Sequence, residues 1–278
     1  MKTLLKVPIV LLAVMIIVSC GKDSNKEESK ASDKVVKPLE NEDKPLDKVV
    51  KTSIFSDETV LIVNYQLENM TLEEHAELGS VVAPSFTSEK VPGLLGKSFV
   101  GDLDRGIFGG VYYFSNSESV DAYLESDLWK GVVAHPNLVN FKTDIFKTFD
   151  GTELANGNHS MRKTSSDNSD ANGLHILVVN YTNEVNPSDE EMTSQVKQYA
   201  PVFSNDNFPG MIGKTMINSV DGNVYGGVYY FTSRSAIDDY FESELWRGFE
   251  GDSNTNVYKK DIYAVAPIST ISNGVPVL

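Results

Sequence analysis

"GGVYYF" stands at Gly109–Phe114 and again, unchanged, at Gly226–Phe231, 117 positions later. Such a hexapeptide recurs either by chance or because a whole unit was copied, and its flanks decide between the two. At the same offset "VPGLLGKSF", Val91–Phe99, lies over "FPGMIGKTM", Phe208–Met216. "VDAYLESDLWKG", Val120–Gly131, lies over "IDDYFESELWRG", Ile237–Gly248, and "FKTDIF", Phe141–Phe146, over "YKKDIY", Tyr258–Tyr263. Across a one-residue gap, "LIVNY", Leu61–Tyr65, lies over "LVVNY", Leu177–Tyr181. Register kept across so many segments means that a domain was duplicated, so the hexapeptide is one strand of a repeated unit.

Periodicity gives the elements of that unit. Val60–Leu67 is apolar and β-branched, too short and stiff for a helix, and predicts a strand. Leu72, Ala76, Gly79, Val82, Ala83 and Phe86 recur at three- and four-residue steps and predict an amphipathic helix. In the second copy Ser188 and Glu191 form a capping box at the matching helix start. Pro84 and Pro201 fall near the helix ends, where each kinks or stops the helix. Pro92-Gly93 opens a strand to about Val100, Asp221-Gly222 marks a tight hairpin, and the GGVYYF strand follows. Ser115 and Glu118 predict a second capping box, opening a helix through Tyr123, Leu124, Leu128 and Trp129. A last strand runs near Val139–Phe149. The order strand-helix-strand-strand-helix-strand is the ferredoxin-like arrangement, an α+β fold.

The strands look buried on both faces: Leu61, Val63 and Tyr65 point one way, Val60, Ile62 and Asn64 the other. An antiparallel sheet with one wet face would alternate apolar and polar residues. Helices cover one face only, so the other repeat must cover the second. Two tandem ferredoxin-like βαββαβ units then close into an intramolecular dimeric α+β barrel with the helices outside.

The N-terminus belongs to export rather than to the fold. Lys2 and Lys6 precede an apolar run, Val7–Val18, too short to span a bilayer, which closes on Ile17-Val18-Ser19-Cys20. That ending resembles the bacterial lipobox, in which the cysteine is lipidated. Cys20 is the sole cysteine, so the folded part holds no disulfide and rests on its core. From Gly21 to about Asp57 the chain is rich in Lys, Glu, Asp, Ser and Pro and predicts a flexible tether. The chain thus divides into a signal peptide (1–20), a tether (21–57), repeat 1 (58–150), a linker (151–173), repeat 2 (174–268) and a tail (269–278). Expected localisation is the cell envelope, lipid-anchored to a bacterial membrane, periplasmic or surface-exposed. The formal net charge of −15 falls almost wholly on the repeats, which sets nucleic acid aside as a partner.

The stretch "PGLLGKSF…GGVYYFSNSESVDAYLE" resembles the YdhR-like monooxygenase family of the dimeric α+β barrel superfamily. Its members carry a PG-x-x-x-K strand, a GG-[IV]-Y-x-F strand and a helix with A-Y-L-E. The likeness covers each repeat nearly end to end. It implies a barrel that in the family forms between two chains and here forms within one, so that the internal repeat replaces oligomerisation. It also implies oxygenation of an electron-rich aromatic or quinol-like substrate without a cofactor. The sequence departs from the family at Gly96 and Gly213, where members place an aromatic residue before the strand lysine.

Candidate site residues follow from polar groups that recur in both copies. Lys97 and Lys214 sit mid-strand among apolar neighbours, as do Asp144 and Asp261, and a charge there is costly unless paired or solvated. Either each reaches water at a strand edge, or Lys97 pairs with Asp261 and Lys214 with Asp144 where the repeats meet. Asn64 and Asn180 either orient a substrate oxygen or satisfy backbone at a bulge. With the two lysines they are the candidate catalytic groups. Tyr65, Tyr112, Tyr113, Tyr181, Tyr229 and Tyr230 either line an aromatic pocket or pack the core with satisfied hydroxyls. His75, His135, His159 and His175 show no metal-ligand spacing and none recurs in the other copy, so no metal is expected. Two functions stay open: an oxygenase working in the barrel pocket, or a non-catalytic lipoprotein holding a small apolar or aromatic molecule there.

Overall fold

The computed structural model describes residues 54–152 and 172–272. The signal peptide with Cys20, most of the tether and linker, and the last six residues lie outside the described residues. Repeat 1 is built from β1 (Phe55–Leu67), α1 (Leu72–Val82), β2 (Leu94–Asp102), β3 (Ile107–Phe114), α2 (Ser117–Glu125), α3 (Asp127–Val133) and β4 (Leu138–Phe149). Repeat 2 follows with β5 (His175–Asn183), α4 (Asp189–Tyr199), β6 (Met211–Ser219), β7 (Tyr225–Phe231), α5 (Arg234–Phe241), α6 (Glu244–Glu250) and β8 (Thr255–Val265).

All eight strands form one closed antiparallel barrel, in the order β1-β3-β2-β8-β5-β7-β6-β4 and back to β1. Within each repeat the ladders are long, as in β1–β3 from Thr59↔Phe114 to Tyr65↔Phe108. The two seams between repeats are short. β2 meets β8 at Val100↔Val265 and Gly101↔Ala264, and β4 meets β6 from Phe146↔Ser219 to Thr148↔Ile217. Alternation along each strand then sorts the apolar side chains into layers. Val60, Ile62, Val111, Tyr113, Ile176, Val178, Val228, Tyr230 and Tyr263 fill the barrel interior, shared by both repeats. Leu61, Val63, Tyr112 and Phe114 pack outward beneath the helices of repeat 1, and Leu177, Val179, Tyr229 and Phe231 beneath those of repeat 2.

The leading glycine of each hexapeptide is dictated by the ladder. A Cβ on Gly109 would stand 1.8 Å from the Val63 carbonyl oxygen, and one on Gly226 2.2 Å from that of Val179. No side chain fits there without prising β1 from β3, or β5 from β7.

The helix starts are capped as the sequence predicts at Ser188–Glu191, and Thr71–Glu74 forms the same box in repeat 1. Both helices tighten into 3-10 turns at their prolines, Ala83–Ser85 and Ala200–Val202. The expected Ser115–Glu118 box does not form. Asn116 is the cap, its Oδ1 accepting from the Ser119 N–H, because an amide one residue later reaches the first turn directly. The helix expected to run through Trp129 is two helices, since Ser126 adopts an extended conformation and caps α3. The Asp221-Gly222 hairpin is longer than a two-residue turn, with residues 220–224 between the strands.

After its last strand each repeat reaches across to the other. Thr152 Oγ1 accepts from the Met216 N–H at 3.1 Å, and the matching Ser269 Oγ from the Phe99 N–H at 2.9 Å. Ser272 goes further along the segment expected as a tail: its carbonyl accepts from the Lys97 N–H at 3.0 Å and its hydroxyl donates to the Lys97 carbonyl at 2.6 Å. The second strand of each repeat, which carries its lysine, is therefore held from the opposite repeat.

Candidate functional site

Lys97 and Lys214 point outward into the layers between sheet and helices rather than into the barrel. The second glycine of the hexapeptide explains how they fit. A Cβ on Gly110 would come 2.8 Å from the Tyr112 ring and 3.1 Å from Lys97 Cε; on Gly227 it would come 2.6 Å from Lys214 Cε. Each lysine stem lies in the groove that its glycine leaves open.

The groove ends among aromatic rings. Lys97 Nζ stands 3.3 Å from the Phe86 ring centroid, 3.7 Å from Phe99 and 4.6 Å from Tyr112. Lys214 Nζ stands 4.0 Å from Phe203 and 4.5 Å from Tyr229, while Met216 takes the place of the third ring. Ring faces attract a cation, but only weakly against the loss of water around it. Burial accordingly holds the Lys97 amine well below its ordinary value and brings Lys214 down to about 7. Burial thus favours the neutral form of the amine at both lysines.

Tyrosines complete each aromatic cluster, the outer chamber of its repeat. Tyr123 lies with its hydroxyl 3.5 Å from that of Tyr112, and Tyr240 pairs with Tyr229 in the same way. Burial raises all four phenols, so they stay protonated. In repeat 1 the Tyr65 hydroxyl meets His75 Nε2 at 2.8 Å, and burial lowers the imidazole. In repeat 2 Met192 occupies the place of His75, and Tyr181 stacks on Tyr225 at 5.7 Å between centroids. The sequence reading named Phe86 only as a helix position and His75 only as a histidine without metal-ligand spacing, and did not name Phe203. The two phenylalanines recur at the common offset next to Pro84 and Pro201, a signal that was available. His75 does not recur and left none.

The remaining candidates lie on the other face. Tyr113 and Tyr230 point into the barrel, where the Tyr230 hydroxyl sits 3.0 Å from Ser98 Oγ. Asn64 and Asn180 point inward too, so the structure does not bring them together with the lysines. The expected Lys97–Asp261 and Lys214–Asp144 pairs do not form, because strand alternation puts lysines and aspartates on opposite faces. Both aspartates do bridge the repeats, through other cations. Asp261 accepts from Arg105 at 2.6 Å, Lys259 lies 3.1 Å from Asp144 and 3.4 Å from Asp261, and Arg105 also pairs with Asp102. The Tyr263 hydroxyl donates to Asn64 Oδ1 at 3.1 Å and lies 3.2 Å from Asp261.

Side-chain packing fills the barrel interior, which the sequence reading took as the pocket. The two lysine amines lie instead in the outer layers between sheet and helices, each among aromatic rings. Among the described residues no cluster of His, Cys, Asp and Glu could hold a metal, and no helix is long and apolar enough to cross a membrane.

Comparison with known proteins fits this geometry. A family model described as "Putative mono-oxygenase ydhR" matches twice, over residues 60–158 and 176–275. A monooxygenase-titled crystal structure from Fusobacterium nucleatum is similar at a TM-score of 0.51 and 9% identity, covering 76% of this chain and 92% of that one. A similarly titled protein from Lactobacillus acidophilus gives 0.47 at 13% identity, covering 76% and 94%. None of the curated proteins searched matches. At such identities the structural likenesses speak for the fold alone.

Proposed function

The chain belongs to the ydhR mono-oxygenase family, and from that premise we propose that it oxygenates a quinol-like aromatic molecule in its outer chambers without a bound cofactor. The observation that carries this reading is the Lys97 amine, enclosed by rings with its Nζ 3.3 Å from the Phe86 ring centroid and pushed by burial toward its neutral form. A phenolic guest stacked on such rings gives its proton to the amine, and the resulting anion is electron-rich enough to meet oxygen. In a dry chamber the new ammonium and the anion stabilise each other. With no cofactor the substrate supplies all four electrons that reduce dioxygen. A quinol ring becomes a hydroxyquinone: one oxygen atom enters the ring as the new hydroxyl and the other leaves as water. Tyr65 with His75 gives repeat 1 a second proton-carrying pair that repeat 2 lacks.

We further propose that Cys20 is lipidated and tethers the barrel to a bacterial envelope membrane, so that the substrate is met outside the cytoplasm. A holding role without turnover is the second reading. Gly96 and Gly213 pair with the barrel-facing Tyr113 and Tyr230, so the aromatic residue that family members place there is missing from the barrel side, which weakens substrate stacking and favours holding. Oxygen uptake by the purified protein with a panel of quinols separates the two. Lys97→Met should lower the rate by about 100-fold, the usual contribution of a positioned base. Saturable binding with no oxygen uptake would establish the holding role.

A further inference from the structure

We propose that the segment after β8, Ala266–Ser272, is a strap by which repeat 2 positions the Lys97 amine on its rings in repeat 1. On that edge β2 has a strand beside it only at Val100 and Gly101, where β8 pairs with it. Lys97 and Phe99 turn their backbone groups to the same edge, where a buried N–H or C=O left unmet would be costly. The strap meets all four. The Lys97 N–H donates to the Ser272 carbonyl at 3.0 Å, and the Ser272 hydroxyl donates to the Lys97 carbonyl at 2.6 Å. The Phe99 N–H donates to Ser269 Oγ at 2.9 Å, and the Phe99 carbonyl accepts from the Ala266 N–H at 2.8 Å. Ser269 and Ser272 are 0% and 1% exposed, so water does not compete for these bonds.

The same segment reaches the third member of the cluster. Ile268 lies against Gly79 of α1, so closely that a Cβ there would stand 2.9 Å from Ile268 Cδ1. α1 leads through the turn Ala83–Ser85 directly into Phe86, whose ring centroid is 3.3 Å from Lys97 Nζ. One strap thus fixes both the strand that carries Lys97 and Phe99 and the helix that presents Phe86. A lysine stem is flexible, so the place of its amine depends on how firmly its strand and its rings are held. Ser272 is a positioning residue for Lys97, touching its backbone and leaving the amine to the rings. The placement stands on these contacts, and its consequence for turnover rests on the reading of Lys97 as the base.

Lysine protons held over ring faces resonate upfield, so the Lys97 Hε signals of the full-length protein, labelled at lysine, report the placement by NMR. Ser272→Ala should move those signals toward the ordinary lysine position. It should also speed amide exchange at Lys97 and Phe99 by about 10-fold, the worth of one hydrogen bond, with exchange in β7 unchanged. Ser272→Thr keeps the hydroxyl and should restore both. A chain ending at Ala266 should displace the signals further; if it does not fold, the point variants still decide. In oxygen uptake with a quinol, Ser272→Ala should lower kcat by about 10-fold and leave KM nearly unchanged, since a shifted base is felt in the chemical step. Lys97 signals that stay in place in Ser272→Ala overturn the positioning role, whether or not exchange quickens. Signals that move while the unaltered protein takes up no oxygen support the strap and overturn the oxygenase reading instead.

Discussion

Asn64 and Asn180 occupy the same place in the two repeats, yet their surroundings differ. Asn64 Oδ1 accepts from the Tyr263 hydroxyl, whereas Phe146 stands at the position matching Tyr263, and Asn180 Oδ1 is buried with no hydrogen-bond partner among the described residues. A similar contrast recurs elsewhere: Arg105 grips Asp261 from the first hairpin where the second has Gly222, and His75 answers Met192. What stays alike is the backbone scaffold of glycines, caps and lysine grooves. What has drifted is the polar equipment, and only in one copy at a time.

The scaffold half of that contrast is tested by the largest effect. Gly109→Ala and Gly226→Ala should each cost about 3 kcal/mol or more in denaturant unfolding, since backbone rather than a flexible side chain blocks the new methyl. If one repeat tolerated the change, the scaffolds would not be equivalent. Next comes Tyr263→Phe, which takes the donor from the half-buried Asn64 Oδ1. A loss of about 1 kcal/mol is expected, the net worth of one such hydrogen bond.

A third test uses pH. Unfolded, Lys214 keeps its proton up to about 10.5; folded, it releases it near 7. Between those values the unfolded chain binds more protons, so stability rises with pH. Between pH 8 and 9.5 Lys214→Met should reduce that slope by about 1 kcal/mol per pH unit in chemical denaturation. An unchanged slope would mean that the amine is charged in the folded state. The smallest effect sharpens the comparison most. Phe146→Tyr returns a hydroxyl to the neighbourhood of Asn180 and should gain somewhat under about 1 kcal/mol.

Repetition made the fold legible. Four aligned segments established the duplication, and strand alternation at Val60–Tyr65 placed apolar residues on both faces, from which the barrel follows. The same tool blurred the site. Repetition marked Lys97, Asn64 and Asp144 alike as recurrent and polar, but it carried no register between strands. It therefore could not say that Lys97 faces helices while Asp261 faces the barrel. It also set His75 aside because it has no counterpart, and only the fold shows it beside the Tyr65 hydroxyl. Ser115 was expected as a cap because a serine with a glutamate three residues on is a familiar pair, and the reach of the Asn116 amide decided otherwise.

The exchange of strand-end contacts at Thr152 and Ser269 belongs to an assembly whose halves are joined covalently. When two identical subunits meet about an axis, any altered codon is expressed on both sides, and a change useful in one cavity is inflicted on its twin. Joined in a single polypeptide, each half can be edited alone. One side can then specialise while the other keeps the architecture sound.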